Sequence, residues 1–265
     1  MHLIDSHAHL TSESVWPHVD DVVKRAQEAS VSPIINICTD LLTLERGMDL
    51  VERYPFIYNT ASTTPHDVAK EGESVFPIVR QHALSGKLVA IGETGLDYHY
   101  MHSPRDVQQD FLRRYLHLAL ESHLPVVIHC RDAFADLFEI LDREYVVQGK
   151  HQQGVLHCFT GTTQEAEDVL KRGWYVSISG IATFKKSEQL REVVRLAPLE
   201  QLLIETDTPY LAPHSRRGQP NEPAYLVETA QLVATVKGVS LQTVAQATAA
   251  NAAKLFHLKV SHESH

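Results

Sequence analysis

Short apolar runs alternate with longer amphipathic stretches along this chain. The runs at residues 3–6, 33–38, 56–61, 88–92, 126–129, 154–157, 174–178 and 202–205 read as strands. Several are nearly continuous in Val, Ile and Leu, as parallel strands covered on both faces are. Between them apolar residues recur at helical spacing. Val19, Val22, Val23 and Ala26 make one stripe within 19–29, and Phe111, Tyr115, Leu116 and Leu118 make a broad one within 105–122. Further helices are expected over 41–51, 74–84, 133–141, 165–171 and 187–196. Thr162, three residues before Glu165, predicts a capping box. A turn-rich stretch at 209–223 precedes two last helices, 224–236 and 240–258.

Eight strand–helix units in 265 residues predict an α/β fold, a closed (β/α)8 TIM barrel with an extra C-terminal helix. An open doubly wound sheet is the alternative, but it usually carries fewer strands. No Gly-x-Gly-x-x-Gly or Walker A pattern is present, so dinucleotide and nucleoside-triphosphate readings lose their usual support. A single domain is expected over 1–265, with a polar tail from about 259 that carries His262 and His265.

Composition narrows the function. The formal net charge is -9, from 33 acidic residues against 24 Lys and Arg. That argues against a protein that coats DNA by bulk charge, though not against a local site that handles phosphates. The three cysteines, Cys38, Cys130 and Cys158, make no disulfide framework. Cys130 and Cys158 each follow a histidine and are expected to face away from it, into the strand–helix layer. No basic segment leads into an apolar one, and no stretch approaches 18 apolar residues. A membrane span is not expected, and a cytoplasmic location is.

In barrels of this kind the active site lies at the C-terminal strand ends. Strand one ends in His7 and His9, two apart and therefore facing one way, together with Asp5. Strand four ends in Glu93, strand five in His129, strand six in His157, and strand eight in Glu205 and Asp207. Any one of these reads as an ordinary polar residue near the surface; five strand ends supplying them do not. Four histidines and two or three of these carboxylates are expected to converge on one mouth, and even six such donors exceed one catalytic zinc, which usually takes three plus water. They suit two divalent ions roughly 3.5–4 Å apart that share a carboxylate. Mixed imidazole and carboxylate donors suit Zn or Mn, whereas Mg prefers oxygen shells.

Neighbouring residues offer substrate contacts. Arg131 lies two beyond His129, so both are expected at the mouth. Lys185 and Arg217, in the loops after strands seven and eight, are cations for a phosphate, against the plainer reading of solvated loop charge. Tyr98, Phe159, Phe184 and Tyr210 offer faces on which a base stacks, though loop aromatics as often pack beneath the loop. Gly92, Gly95, Gly161 and Gly180 are expected in tight turns beside the site.

Seven segments in order resemble the TatD family of metal-dependent deoxyribonucleases, within the amidohydrolase-like barrels. They are Asp5-Ser6-His7-Ala8-His9-Leu10, Gly92-Glu93-Thr94-Gly95-Leu96-Asp97-Tyr98, Val127-Ile128-His129-Cys130-Arg131, His157-Cys158-Phe159-Thr160-Gly161, Glu205-Thr206-Asp207-Thr208-Pro209-Tyr210-Leu211, Arg217-Gly218-Gln219-Pro220-Asn221-Glu222-Pro223 and Asn251-Ala252-Ala253-Lys254-Leu255-Phe256. The resemblance implies one ion on His7, His9, Glu93 and Asp207 and a second on Glu93, His129 and His157, with Glu93 bridging. It also implies 3'→5' exonuclease action on single-stranded DNA or RNA ends, tied to DNA repair or fragmentation. In that reaction Asp207 is expected to orient the attacking water and take its proton, while Arg131 or Lys185 offsets phosphoryl charge. The alternative keeps the metals and changes the bond, to an ester or amide hydrolase such as a D-aminoacyl-tRNA deacylase. A non-catalytic metal-binding scaffold is the third reading.

Overall fold

Eight parallel strands pair in chain order, each with the next, from β1 to β8. The computed structural model describes residues 2–146 and 151–258; the polar tail from 259, with His262 and His265, lies outside the described residues. The strands are β1 (Leu3–Ala8), β2 (Val31–Cys38), β3 (Ile57–Ala61), β4 (Ala90–Asp97), β5 (Val126–Arg131), β6 (Gly154–Leu156), β7 (Tyr175–Ile178) and β8 (Leu202–Ile204). Around them run α1 (Val19–Glu28), α2 (Leu41–Arg53), α3 (Val68–Leu84), α4 (Arg105–Ser122), α5 (Phe134–Ile140), α6 (Thr163–Lys171), α7 (Glu188–Leu196) and α8 (Leu226–Lys237). The extra helix is α9 (Leu241–Leu255). The ring nearly closes between β8 and β1, through a single bridge of Ala8 with Thr208. Beside it the Asp207 N–H donates to the His7 carbonyl at 2.9 Å and the His9 N–H to the Thr208 carbonyl at 2.8 Å.

Two apolar layers result from the strand alternation. Ile4, Ile35, Ala90, Val127, Val155 and Leu203 fill the barrel interior, and α9 brings Ala252, Leu255 and Phe256 against them. The last helix therefore plugs the barrel end at which the strands begin. Asn251 fixes it there, donating from its amide to the Leu199 and Leu202 carbonyls at 2.8 Å each. Leu3, Ile34, Ile57, Ile91 and Val126 face outward and join the helices in the larger core. The α1 stripe of Val19, Val22, Val23 and Ala26 is buried as expected. Thr162 and Glu165 form the expected capping box of α6.

The departures from the sequence reading have local causes. α3 begins at Val68, six residues early, because Gly72 and Pro77 interrupt its pattern; a Cβ at Gly72 would overlap the Phe111 ring. β4 runs on to Asp97, its Thr94–Asp97 segment pairing with β5 from Ile128 to Arg131. Gly92 and Gly95 are therefore strand residues, not turn residues. Their φ values are +148° and +147°, and a Cβ at either would strike the β5 backbone.

Candidate active site

The C-terminal strand ends carry the imidazoles and carboxylates into one mouth, a cavity of about 630 Å³. Glu93, from β4, stands at its centre. Its Oε2 lies 3.3 Å from His7 Nε2 and 3.5 Å from His9 Nε2. Its Oε1 lies 3.0 Å from His157 Nε2 and 3.3 Å from His129 Nδ1. Asp207 Oδ1 completes the first group, 3.6 Å from His7 Nε2 and 3.4 Å from His9 Nε2. The two Nε2 atoms of that group are 3.2 Å apart.

These spacings test the donor set for a metal. Bonds of about 2.0–2.1 Å in a tetrahedral shell put neighbouring donors ~3.3–3.4 Å apart. The distances around His7, His9, Asp207 and Glu93 Oε2 scatter about that value, and those from Glu93 Oε1 to His129 and His157 run at or just below it. The donors fit divalent ions of the zinc type, in two groups that meet on one carboxylate.

Local backbone explains the convergence. Asp207 holds its side chain over the mouth from a left-handed conformation, φ +61°. Its Oδ2 takes no hydrogen bond from any described residue. His7 and His157 stack at 3.9 Å with 5° between their planes.

Charge follows the packing. Burial alone would raise Glu93, but the imidazoles of His157, His129 and His7 hold it well below the usual carboxylate range. Burial alone would lower His157, but Glu93 and Glu205 beside it hold it well above the ordinary histidine value. His129 is likewise raised against its burial, by Asp97 and Glu93, and His9 by Asp207 and Glu93. Burial, with the stacked His157, lowers His7.

Three buried carboxylates back this group. Asp97 Oδ2 lies 2.9 Å from His129 Nε2. Glu205, fully buried, sits 3.5 Å from His157 Nδ1 and accepts the Cys158 N–H at 2.5 Å. Asp5 does not join the metal-type donors: it accepts from the Thr206 N–H at 3.0 Å and its hydroxyl at 2.6 Å. Burial pushes the Asp5 carboxyl up to about 7 despite these bonds. Asp97 was missed as a partner because β4 was expected to end at Gly92. Its position four residues after Glu93, in phase with it along β4, was the available signal.

The substrate contacts expected from sequence divide in two. Arg131 lines the mouth, its guanidinium 5.2 Å from the Tyr100 ring. Tyr210 lines it too, edge-on to His9 at 5.8 Å. The others lie elsewhere. Phe159 is 4% exposed, packed edge-to-face on Phe134 at 5.6 Å, and has no free face for a base. Tyr98 borders a neighbouring hollow of about 580 Å³, with Arg105 over its ring at 4.2 Å and its hydroxyl donating to Asp136 at 2.6 Å. Lys185 is exposed outside the mouth lining, and Arg217 lies over Phe184 at 5.5 Å. Cys158 corrects another expectation. It lines the mouth, with Sγ 3.2 Å from Ser179 Oγ, because φ +41° after the short β6 breaks the strand alternation. Cys130 is buried as expected, although it too borders the mouth cavity.

A (β/α)8 barrel with imidazoles and carboxylates gathered at its mouth is the build of a metal-dependent hydrolase. The family described as TatD related DNase matches residues 4–257, and the chain belongs to that family. It is 38% identical over 256 residues to the uncharacterized metal-dependent hydrolase YabD of Bacillus subtilis, covering 97% of this chain and 99% of that protein. It is 38% identical over 263 residues to the 3'-5' ssDNA/RNA exonuclease TatD of Citrobacter rodentium, covering 96% and 97%. Among solved structures, the TatD homologue YjjV of Escherichia coli superposes with a TM-score of 0.89 at 28% identity, covering 97% and 98%. Among the described residues no helix is long and apolar enough to cross a membrane.

Proposed function

We propose that this protein hydrolyses phosphodiester bonds from the 3' ends of single-stranded DNA or RNA, with two divalent ions held on the six donors of the mouth. The observation that carries the reading is Glu93, whose two oxygens face separate histidine groups at 3.0–3.5 Å. When bound, such a pair supplies Lewis acidity toward phosphoryl oxygen and a nucleophile available near neutral pH. The similarity to a relative named as a 3'-5' ssDNA/RNA exonuclease supports the substrate class.

The chain's own residues then divide the work. His7, His9 and Asp207 hold one side of Glu93, and His129 and His157 hold the other. Asp207, a residue of the mouth lining whose Oδ1 faces His7 and His9, accepts the proton of the attacking water on Oδ2. Arg131, stacked on Tyr100, donates to the phosphoryl oxygens as their charge grows. Tyr210 offers an exposed ring to the terminal base. Lys185 and Arg217 stand outside this group and serve, at most, the strand beyond it.

The test uses metal-stripped protein given Mg²⁺, Mn²⁺ or Zn²⁺ singly, with single-stranded DNA labelled at its 5' end. A ladder shortening one nucleotide at a time from the 3' end, absent in Glu93→Ala, is the expected result. Bound ions with no cleavage of DNA or RNA, but release of the amino acid from a charged tRNA, would replace this reading with an ester hydrolase.

A further inference from the structure

Three metal-type groups meet on the side of the mouth away from Asp207. His66 follows β3, Asp97 ends β4 and His129 lies on β5. His129 turns Nδ1 toward Glu93 and so presents Nε2 to Asp97 Oδ2, at 2.9 Å. His66 Nε2 stands 3.6 Å from that same oxygen. One donor atom from each of the three residues lies within 4.8 Å of the other two.

His66 has no other explanation among the described residues. At 3.6 Å its Nε2 is too far from Asp97 for a hydrogen bond, and its Nδ1 is buried without a partner. The ring is held by edge contacts to Tyr100 at 5.9 Å and His102 at 5.4 Å, which aim it without using its nitrogens. Asp97, 1% exposed, is clamped from behind: its Oδ1 accepts the His99 N–H at 2.9 Å and the Tyr100 N–H at 2.8 Å. Only Oδ2 is left to face the two imidazoles. A role confined to orienting His129 accounts for Asp97 but leaves His66 unused.

We propose that His66, Asp97 and His129 hold a further divalent cation, distinct from the ions on Glu93. Two imidazoles and a carboxylate are donors for a borderline ion such as Zn²⁺, Co²⁺ or Mn²⁺. Three protein donors leave a coordination position free, as in catalytic rather than structural zinc sites. His66 and His129 both line the mouth, so that position faces the substrate side. The ion takes the place of the proton that His129 shares with Asp97. Its use rests on the proposed nuclease reading: it brings positive charge to a phosphate at a mouth where Arg131 is the sole Lys or Arg among the lining residues. Its existence does not rest on that reading.

The experiment counts ions. Metal-stripped wild type, His66→Ala, His66→Gln and Glu93→Ala are equilibrated with Zn²⁺ in a chelator buffer, and metal per chain is read by mass spectrometry. Both His66 variants should hold one ion fewer than wild type and keep those that Glu93→Ala loses. With Co²⁺ in place of Zn²⁺, the wild-type visible spectrum minus that of His66→Ala should show the band of the missing ion. His66 is partly exposed, so melting curves of the metal-free variants should match wild type. His66 variants that bind as many ions as wild type, with an unchanged Co²⁺ spectrum, overturn the site. That result leaves the Glu93 pair standing, whereas full ion retention by Glu93→Ala would strike the proposed function instead.

Discussion

Glu93 offers one carboxylate oxygen to His157 at 3.0 Å and the other to His7 at 3.3 Å. A glutamine there has one oxygen and one amide nitrogen, so it serves one side only. Glu93→Gln is expected to slow phosphodiester hydrolysis at least about a hundredfold at saturating metal. Asp207→Asn, which touches one histidine group, should weaken one ion and spare the other. Single-turnover rates with ion counts check both; equal ion loss in the two variants would contradict the bridging arrangement.

Glu205 is fully buried behind His157, 3.5 Å from Nδ1. A carboxylate in that position fixes the ring so that Nε2 faces the metal, and its loss typically weakens metal affinity by about 10–100-fold. Glu205→Gln should show that loss in competition with a chromophoric chelator. Affinity equal to wild type would rule out the role.

His157, His129 and His9 are all raised above the ordinary histidine value of 6.5 in the metal-free fold. A raised folded value favours the charged ring. Its stabilisation is complete below 6.5 and fades as pH rises through the raised values. Metal needs the neutral ring, so binding releases protons and tightens over the same interval. The metal-free protein should therefore lose melting temperature as pH rises above 6.5 through the raised histidine values, while the gap to the Zn²⁺-loaded protein widens. A gap independent of pH would contradict the assignment.

Phe256 is buried beneath the barrel with Ile4, Val127 and Leu203. Phe256→Ala should cost about 3–5 kcal/mol, from lost burial and the cavity left behind. Denaturant midpoints measure this. Ion stoichiometry below the transition should stay at the wild-type value, because the plug lies at the opposite end from the mouth.

Phe159 and Tyr210 look alike in sequence, as loop aromatics beside proposed ligands, and differ in the structure. Tyr210 is 56% exposed and Phe159 4%. Phe159→Ala should lower stability by about 3–5 kcal/mol. Tyr210→Ala should leave melting unchanged and raise KM for an oligonucleotide by about 5–150-fold, the worth of one stacked base. The reverse pattern would exchange their roles.

How far the sequence was readable follows from what each residue depends on. Strand positions were clear where apolar runs were uninterrupted, as at β2, β7 and β8. They blurred at β4, where Gly92 and Gly95 imitate a turn although close strand packing requires them. His7, His9, Glu93, His129, His157 and Asp207 could be named because each ends an apolar run and the barrel brings such ends together. Their partners Asp97 and His66 depend on how far β4 and β5 extend and on which ring nitrogen His129 turns inward. No periodicity encodes either. The side-chain direction of Cys158 depended on one left-handed residue, which a rule of alternation cannot anticipate.

The backbone joint between β1 and β8 is the thinnest in the wall, one bridge and two flanking backbone hydrogen bonds, with side-chain bonds from Thr206 to Asp5 and from Ser6 to the Ile204 carbonyl beside them. His7 and His9 lie on one side of it and Asp207 on the other, on segments about 200 positions apart in the chain. An ion gripped by all three would act as a rivet across that joint, fastening the first strand to the last. Its removal would reopen a very long loop, and the entropy of such a loop is what a covalent crosslink at the same place would suppress. Chelation should then loosen the whole ring, and such an ion would belong as much to the protein's mechanical integrity as to its chemistry.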